Sequence, residues 1–322
     1  MKNAMNITPS PSDSSPGDFT IVGSARLNRR SGTVPGLSVL VLHRGGRFNR
    51  VQQFSDLERL GVREILAVEP KASSYDVEQL ANRFSRVKFL LMQKELNPGQ
   101  MINLGIQESS SSHVLVIWNN IKVQSISDRV LQAILSGNQI CAVPLFRNER
   151  SEVIPSMFMP AFYKRTIRLI PAVPSRDGQC TIFPHDYIGI YDAQHFLSLG
   201  GYDTQIASPY WQKMDFGMRS YLWGSSITCS VSFRVSSSTS SVPEDTTPNI
   251  DYLRFFLKNI AIRFSGDSGY LPRSIPLRLL LHRSFGLLDT WREYRRIKHW
   301  VDQNRFRYTQ DARHLLELWE DQ

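Results

Sequence analysis

Gly200-Gly201-Tyr202-Asp203, followed by Tyr210-Trp211-Gln212-Lys213-Met214-Asp215-Phe216-Gly217-Met218-Arg219, is the most distinctive pattern of turn, aromatic and charged residues in the chain. Two adjacent glycines end a segment with an apolar face, an acidic residue follows, and aromatic residues lead into Asp215 and Arg219. The last two stand four apart, so on a helix they share a face and can pair. Taken alone, Gly-Gly is a turn signal and an Asp/Arg pair is commonly surface support. The meaning of the stretch depends on what lies upstream.

Upstream, strand and helix patterns alternate. Leu37-Ser-Val-Leu-Val-Leu42, bounded by Gly36 and Gly45-Gly46, suits a buried strand. Val51, Phe54, Leu57 and Leu60 recur every three residues as an amphipathic helix, and Glu64-Ile-Leu-Ala-Val-Glu69 is a second strand stopped by Pro70. A helix through Val77, Leu80, Ala81 and Phe84 precedes a third strand, Val87 to Met92. Asn97-Pro98-Gly99 opens a helix, His113 to Trp118 is a fourth strand, Ile126 to Ile134 another helix, and Ile140 to Phe146 a fifth strand. This alternation predicts an α/β fold with a mostly parallel sheet flanked by helices. Ligands of such sheets bind beyond the C-terminal strand ends, which singles out His43-Arg44, Glu69-Pro70-Lys71 and Asn119-Asn120.

Beyond Arg147 the pattern weakens, with prolines at 155, 160, 171, 174 and 184, so loops and short strands are expected there. Asp192 to Leu199 reads as a short helix running into Gly200-Gly201, Tyr210 to Leu222 as a longer one, and Ile227 to Val235 as a strand. The remainder is helical, interrupted by Gly266-Asp-Ser-Gly269, Pro272 and Pro276. Three units are expected: a Ser/Pro-rich, loosely attached segment over 1–35, an α/β domain over 36–235, and a mobile loop with a basic helical region over 236–322.

The totals fit a soluble globular chain: 322 residues, 41% hydrophobic and 21% charged. Cys141, Cys180 and Cys229 are scattered and odd in number, which argues against a disulfide framework or a zinc site. The polar N-terminal residues do not read as a signal peptide, and no uncharged apolar run reaches membrane-span length. A cytoplasmic protein is expected. The net charge of +9 is concentrated: Leu271 to Arg307 holds nine basic and three acidic residues, a surplus of six. An anionic partner for this end follows, and Ile275, Leu277, Leu279 to Leu281, Phe285, Leu287 and Leu288 among its arginines make a membrane surface one candidate. A helical cap with a solvated basic face is the plainer reading, the two are compatible, and no nucleic-acid motif is present.

The order of parts resembles the family 2 glycosyltransferases, whose catalytic domain has the GT-A fold. Leu37 to Leu42 resembles the first nucleotide-binding strand, and Glu64 to Glu69 the second, which ends in acidic residues that bind base and ribose. Gly99-Gln-Met-Ile-Asn103-Leu-Gly105-Ile106 resembles the family's Asn-x-Gly helix, and Val114 to Asn120 the strand ending in the Asp-x-Asp metal motif. The opening stretch resembles the Gly-Gly-Phe/Tyr-Asp turn and the acidic helix that presents the catalytic base. The match spans roughly 36–235. It implies a nucleotide-sugar donor, a glycan or lipid-linked acceptor, and work on glycans or cell-envelope polysaccharide, at the inner face of the membrane if the basic tail lies on it.

The departures fall where the chemistry is carried. Divalent ions prefer charged oxygen ligands, and Trp118-Asn119-Asn120 replaces both carboxylates, so strong binding of manganese or magnesium is not expected and no cofactor is assigned. Gln212-Lys213-Met214-Asp215-Phe216 stands where Glu-Asp-x-Asp-Leu is usual, leaving an amide and an ammonium at the base positions. The resemblance then implies donor contacts from His43, Glu69, Asn119, Asn120, Lys213 and Arg219, and acceptor contacts from Gly201, Asp203, Tyr210 and Trp211. Asp215 is the remaining candidate base, with Lys213 or Arg219 neutralising the diphosphate. Against this stands a non-catalytic relative in which Asp215 and Arg219 are a structural pair and the chain binds a nucleotide-sugar, a glycan or an active transferase. Asn103 reads as a tie between its helix and nearby loops, and Asp186 as a loop acid or, less readily, an acceptor-side residue.

Overall fold

The computed structural model describes residues 19–23, 34–45, 48–73, 76–124, 126–163, 166–237, 244–275, 287–317 and 319. The first strands and helices are β1 (Phe19–Val22), β2 (Val34–Leu42), α1 (Arg50–Glu58), β3 (Ile65–Pro70), α2 (Val77–Arg83), β4 (Val87–Met92), α3 (Pro98–Glu108), β5 (Ser111–Trp118) and β6 (Ile121–Val123). Then follow α4 (Asp128–Leu135), β7 (Cys141–Arg147), the hairpin β8 (Met157–Tyr163) and β9 (Thr166–Ala172), β10 (Gly189–Asp192), α5 (Ala193–Leu199), α6 (Pro209–Leu222) and β11 (Ile227–Ser237). The C-terminal part has α7 (Ile250–Phe255), continued by a π-helical turn over Phe256–Ile260, the hairpin β12 (Arg263–Ser265) and β13 (Ser268–Tyr270), α8 (Leu287–Asn304) and α9 (Ala312–Glu317).

Nine strands form one sheet in the order β1-β4-β3-β2-β5-β10-β7-β11-β6. β2, β3, β4, β5, β7 and β11 share one direction; β1, β10 and β6 run against them. The sheet is therefore mostly parallel, as the sequence pattern implies. Register shows that both faces are covered. Leu40 aligns with Leu66 and Lys88, and a Cβ on Gly105 of α3 would strike Leu40 at 2.3 Å, so α3 packs on that face. Val41, Ala67 and Phe89 line the opposite face, where Phe54 of α1 packs edge-on against Phe89. Strands buried on both sides read as unbroken apolar runs, and β5 is buried at seven of its eight residues.

Local signals set the helix ends. Asn97 and Gln100 form a capping box with Pro98 behind it, and Asp192 caps α5 through the His195 N–H. α5 stops at Gly200 in the left-handed conformation, φ +90°, and Gly201 follows at φ +63°. Order begins earlier than the composition suggests: Phe19–Val22 pairs antiparallel with β4, although 1–18 and 24–33 lie outside the described residues. β10, unforeseen, enters antiparallel between β5 and β7. The C-terminal helices lie against the sheet domain through Trp223 stacked on Trp300 and Tyr221 against Trp319. No helix among the described residues is long and apolar enough to cross a membrane. Most of the apolar-basic run expected to meet one, Leu277 to Phe285, lies outside them.

Candidate functional site

β2 adjoins β3 on one side and β5 on the other, so the strand order reverses between β2 and β5. Ligand crevices of open α/β sheets form at such reversals, beyond the C-terminal strand ends. His43, Arg44 and Asn119 lie there, as the sequence positions imply. Asn119 is buried and its amide is spent on the neighbouring loop. Its Oδ1 accepts from the Arg44 N–H at 3.2 Å, its Nδ2 donates to the Gly45 carbonyl at 3.3 Å, and its own carbonyl accepts from Gln53 Nε2 at 3.1 Å. Asn120 is half-buried beside it. His43 accepts the Gly45 N–H on Nδ1 at 3.1 Å; burial, then the nearby Arg50 charge, hold its pKa below the ordinary imidazole value.

The Arg44 guanidinium carbon lies over the Trp118 indole, 4.0 Å from its centroid, and the side chain pairs with Asp186 at 2.5 Å. Both charged side chains are partly open to solvent, 36% and 26% exposed. Asp186 and Tyr187 are consecutive non-glycine residues at φ +51° and +65°, a costly conformation that surrounding structure must enforce. At the end of β3, Glu69 is buried against Arg50 at 2.9 Å, and Arg50 also reaches Asp76. Burial pushes the Glu69 carboxyl up to about 7, against the pull of Arg50 and with a push from Asp76.

The wall built by α6 differs from the expected one. Gln212 is wholly buried: Oε1 accepts from the Gly99 N–H and the Tyr187 hydroxyl, both at 3.0 Å. Its Nε2 lies 3.2 Å from Asn97 Oδ1, 3.0 Å from the Asp203 carbonyl and 2.9 Å from that of Ile206. Lys213 is equally buried, pairs with Glu244, and lies 5.1 and 5.3 Å from the centres of the Phe183 and Tyr187 rings. Asp215 is 0% exposed. Its Oδ2 accepts from Arg219 Nη2 at 2.9 Å and its Oδ1 from Asn259 Nδ2 at 2.9 Å, with Lys258 Nζ at 3.4 Å. Arg219 spends its other donors on the Leu199 and Gly201 carbonyls, at 2.6 and 2.7 Å.

The expectation that Asp215 serves as base, with Lys213 or Arg219 facing a diphosphate, therefore meets closed geometry. All three are enclosed, with partners inside the fold. Asp203 joins the same network through Lys258 at 2.9 Å; burial opposes its charge, yet Lys258 pulls its pKa down to about 2. Gly201 is held by packing, since a Cβ there would meet Asn103 Oδ1 at 2.4 Å. Asn103 clasps the turn by donating to the Tyr202 carbonyl at 2.8 Å and accepting its N–H at 2.9 Å, the tying role read from sequence.

Trp211 is buried and donates to the Thr247 carbonyl at 3.2 Å. With half-buried Tyr210 it lines a cavity of about 670 Å³ between the β8–β9 hairpin, α6 and α7. Phe158, Phe183, Tyr252 and Phe255 supply much of the remaining wall, and Glu244 contributes a carboxylate. Arg50, Lys258 and Asn259 escape sequence reasoning as site-supporting residues. Lys258 and Asn259 sit on the π-helical turn, whose wider winding has no local composition signal. Arg44 is visible from sequence as the residue after an apolar strand, but its pairing with Asp186 is not.

No protein-family model matches the chain, and no curated protein sequence does. Solved structures do. A crystal structure of GalNAc-T7 with UDP, GalNAc and Mn2+ superposes with a TM-score of 0.59 at 11% identity, covering 89% of this chain and 56% of that one. S. aureus TarS 1-349 in complex with UDP-GlcNAc gives 0.46 at 12% identity over 84% of this chain and 72% of that one. The chain thus spans a little over half the length of GalNAc-T7. A mostly parallel sheet flanked by helices, with that superposition, makes the fold that of the GT-A glycosyltransferases.

Proposed function

We propose that this chain binds a nucleotide-sugar in the crevice between β2 and β5 without a divalent metal, as a glycosyltransferase-like protein of glycan or cell-envelope polysaccharide synthesis. The observation that carries the proposal is Arg44, a permanent cation laid on Trp118 at the topological reversal of the sheet. The GalNAc-T7 structure of the same fold holds UDP with Mn2+. Here the donor set at the end of β5 does not fit such an ion. The Trp118 indole N–H only donates, the Asn119 amide oxygen already accepts from Arg44, and a guanidinium lies over the indole. A guanidinium supplies charge and paired donors to phosphate in the metal's place.

Burial of Asp215 and the filled valences of Gln212 support binding over transfer, because the carboxylate and amide of α6 are occupied inside the fold. In this reading the chain partners an active transferase, and the aromatic cavity beside Tyr210 takes the apolar face of a glycan or lipid-linked acceptor. Exposed Leu288 and Trp291 next to Arg292 and Arg295 on α8 support a further contact with an anionic membrane surface.

The test is calorimetric titration with nucleoside diphosphates and nucleotide-sugars, in EDTA and in manganese. Equal binding in both, without release of sugar, is the expected result. Binding that requires manganese refutes the metal-free site, and turnover refutes the non-catalytic reading. Sedimentation with phosphatidylserine vesicles across a salt series tests α8; no binding at low salt removes the membrane contact.

A further inference from the structure

Three residues at the two altered motif positions converge on one place. Trp118 Nε1 donates to the Asp186 carbonyl at 2.9 Å, Gln212 accepts from the Tyr187 hydroxyl at 3.0 Å, and Lys213 lies 5.3 Å from the Tyr187 ring centre. Between them they hold the two-residue turn at φ +51° and +65°. Positive φ at non-glycine residues costs on the order of 1–3 kcal/mol each. The Arg44–Asp186 pair that the turn creates is partly exposed, and such pairs contribute about 0–1 kcal/mol. The pair is thus too weak to impose the turn. The bond that Trp118 donates to the Asp186 carbonyl and the buried bond that the Tyr187 hydroxyl donates to Gln212 hold it, and the placement of Asp186 on Arg44 is the result.

We propose that Asp186 is the specificity-determining residue of the β2–β5 crevice. Its carboxylate occupies the anion position against Arg44, so that a ligand phosphate binds only by displacing it. This rests on the reading that a nucleoside diphosphate binds there. The nucleoside part of a ligand meets no such competitor, so the site discriminates by its phosphate charge. Removal of the carboxylate leaves the guanidinium on Trp118 free for phosphate oxygens, which it matches with parallel donors.

The experiment is calorimetry on the full chain in EDTA with UDP, uridine and inorganic pyrophosphate as probes. Asp186→Asn keeps shape and removes charge; Asp186→Gly suits the left-handed backbone and guards against misfolding. Both variants are expected to bind UDP and pyrophosphate about fivefold tighter than the unaltered chain, the equivalent of the ion pair's worth, with uridine unchanged. Adding Arg44→Ala abolishes the gain. If the unaltered chain binds UDP and neither variant binds it tighter, the role of Asp186 is refuted while the nucleotide reading stands. If uridine gains as much as UDP, the effect is steric and the proposal also fails. If no protein binds UDP or pyrophosphate, the nucleotide reading falls and takes this one with it.

Discussion

The interior of the α6 wall and the mouth of the β2–β5 crevice are both rich in charge, yet they are built to opposite ends. In the wall, Asp215, Arg219, Lys258 and Gln212 are enclosed and their hydrogen-bonding groups are shared among carbonyls and one another. At the mouth, Arg44 and Asp186 hold a single ion pair between half-exposed side chains. A buried, internally paired network resists any ligand, because breaking one bond strands a charge. An exposed pair yields to a competitor of like charge. Under the proposed function, the wall is support and the mouth is recognition.

The sharpest way to break that contrast is Asp215→Ala. It leaves Arg219 buried without its carboxylate and Lys258 with Asp203 alone, and is expected to cost about 3–5 kcal/mol, read by urea unfolding. A loss below about 1 kcal/mol would mean the network is not supporting the fold. Next comes Gln212→Glu, which puts a carboxylate in place of the buried amide. It would set a charge against the Asn97, Asp203 and Ile206 oxygens now served by Nε2, at an expected cost of about 2–4 kcal/mol at pH 7.

The third prediction concerns Glu69, whose folded pKa of about 7 lies above the 4.5 of an ordinary glutamate. Between those values the folded state holds the proton that the unfolded state has released, so this group's contribution to stability is full below 4.5 and is lost as pH rises to about 7. The expected decline attributable to this group is about 1–3 kcal/mol. Unfolding curves from pH 5 to 8 should flatten in Glu69→Gln; an unchanged slope assigns the dependence elsewhere. Smallest in stability is Arg44→Ala, expected to cost less than about 1 kcal/mol while weakening UDP binding about tenfold. A large stability loss there would erase the distinction between mouth and wall.

Much of the fold is legible because the central strands are buried on both faces and stand out as Leu37–Leu42 or Val87–Met92 between turn residues. β10 is not: it has four residues, one of them Gly189, and owes its place to antiparallel pairing on both sides. β1 is lost in Ser/Pro-rich surroundings because edge pairing with β4, not composition, orders it. At the site, strand-end geometry makes His43, Glu69 and Asn119 visible as positions. Their partners are not, since Arg44 meets Asp186 across 142 residues and Asp215 meets Asn259 across 44. Sequence spacing reports helix faces well and tertiary pairs poorly. It therefore showed Asp215 beside Arg219 without showing that both are sealed.

Hydrogen exchange of the full chain with UDP in EDTA tests recognition at the mouth without a metal. Slowed exchange is expected over residues 43–45 and 185–187, with the amides of α6 unchanged. Protection that appears only after manganese is added, centred on Asn119 and Asn120, would contradict it.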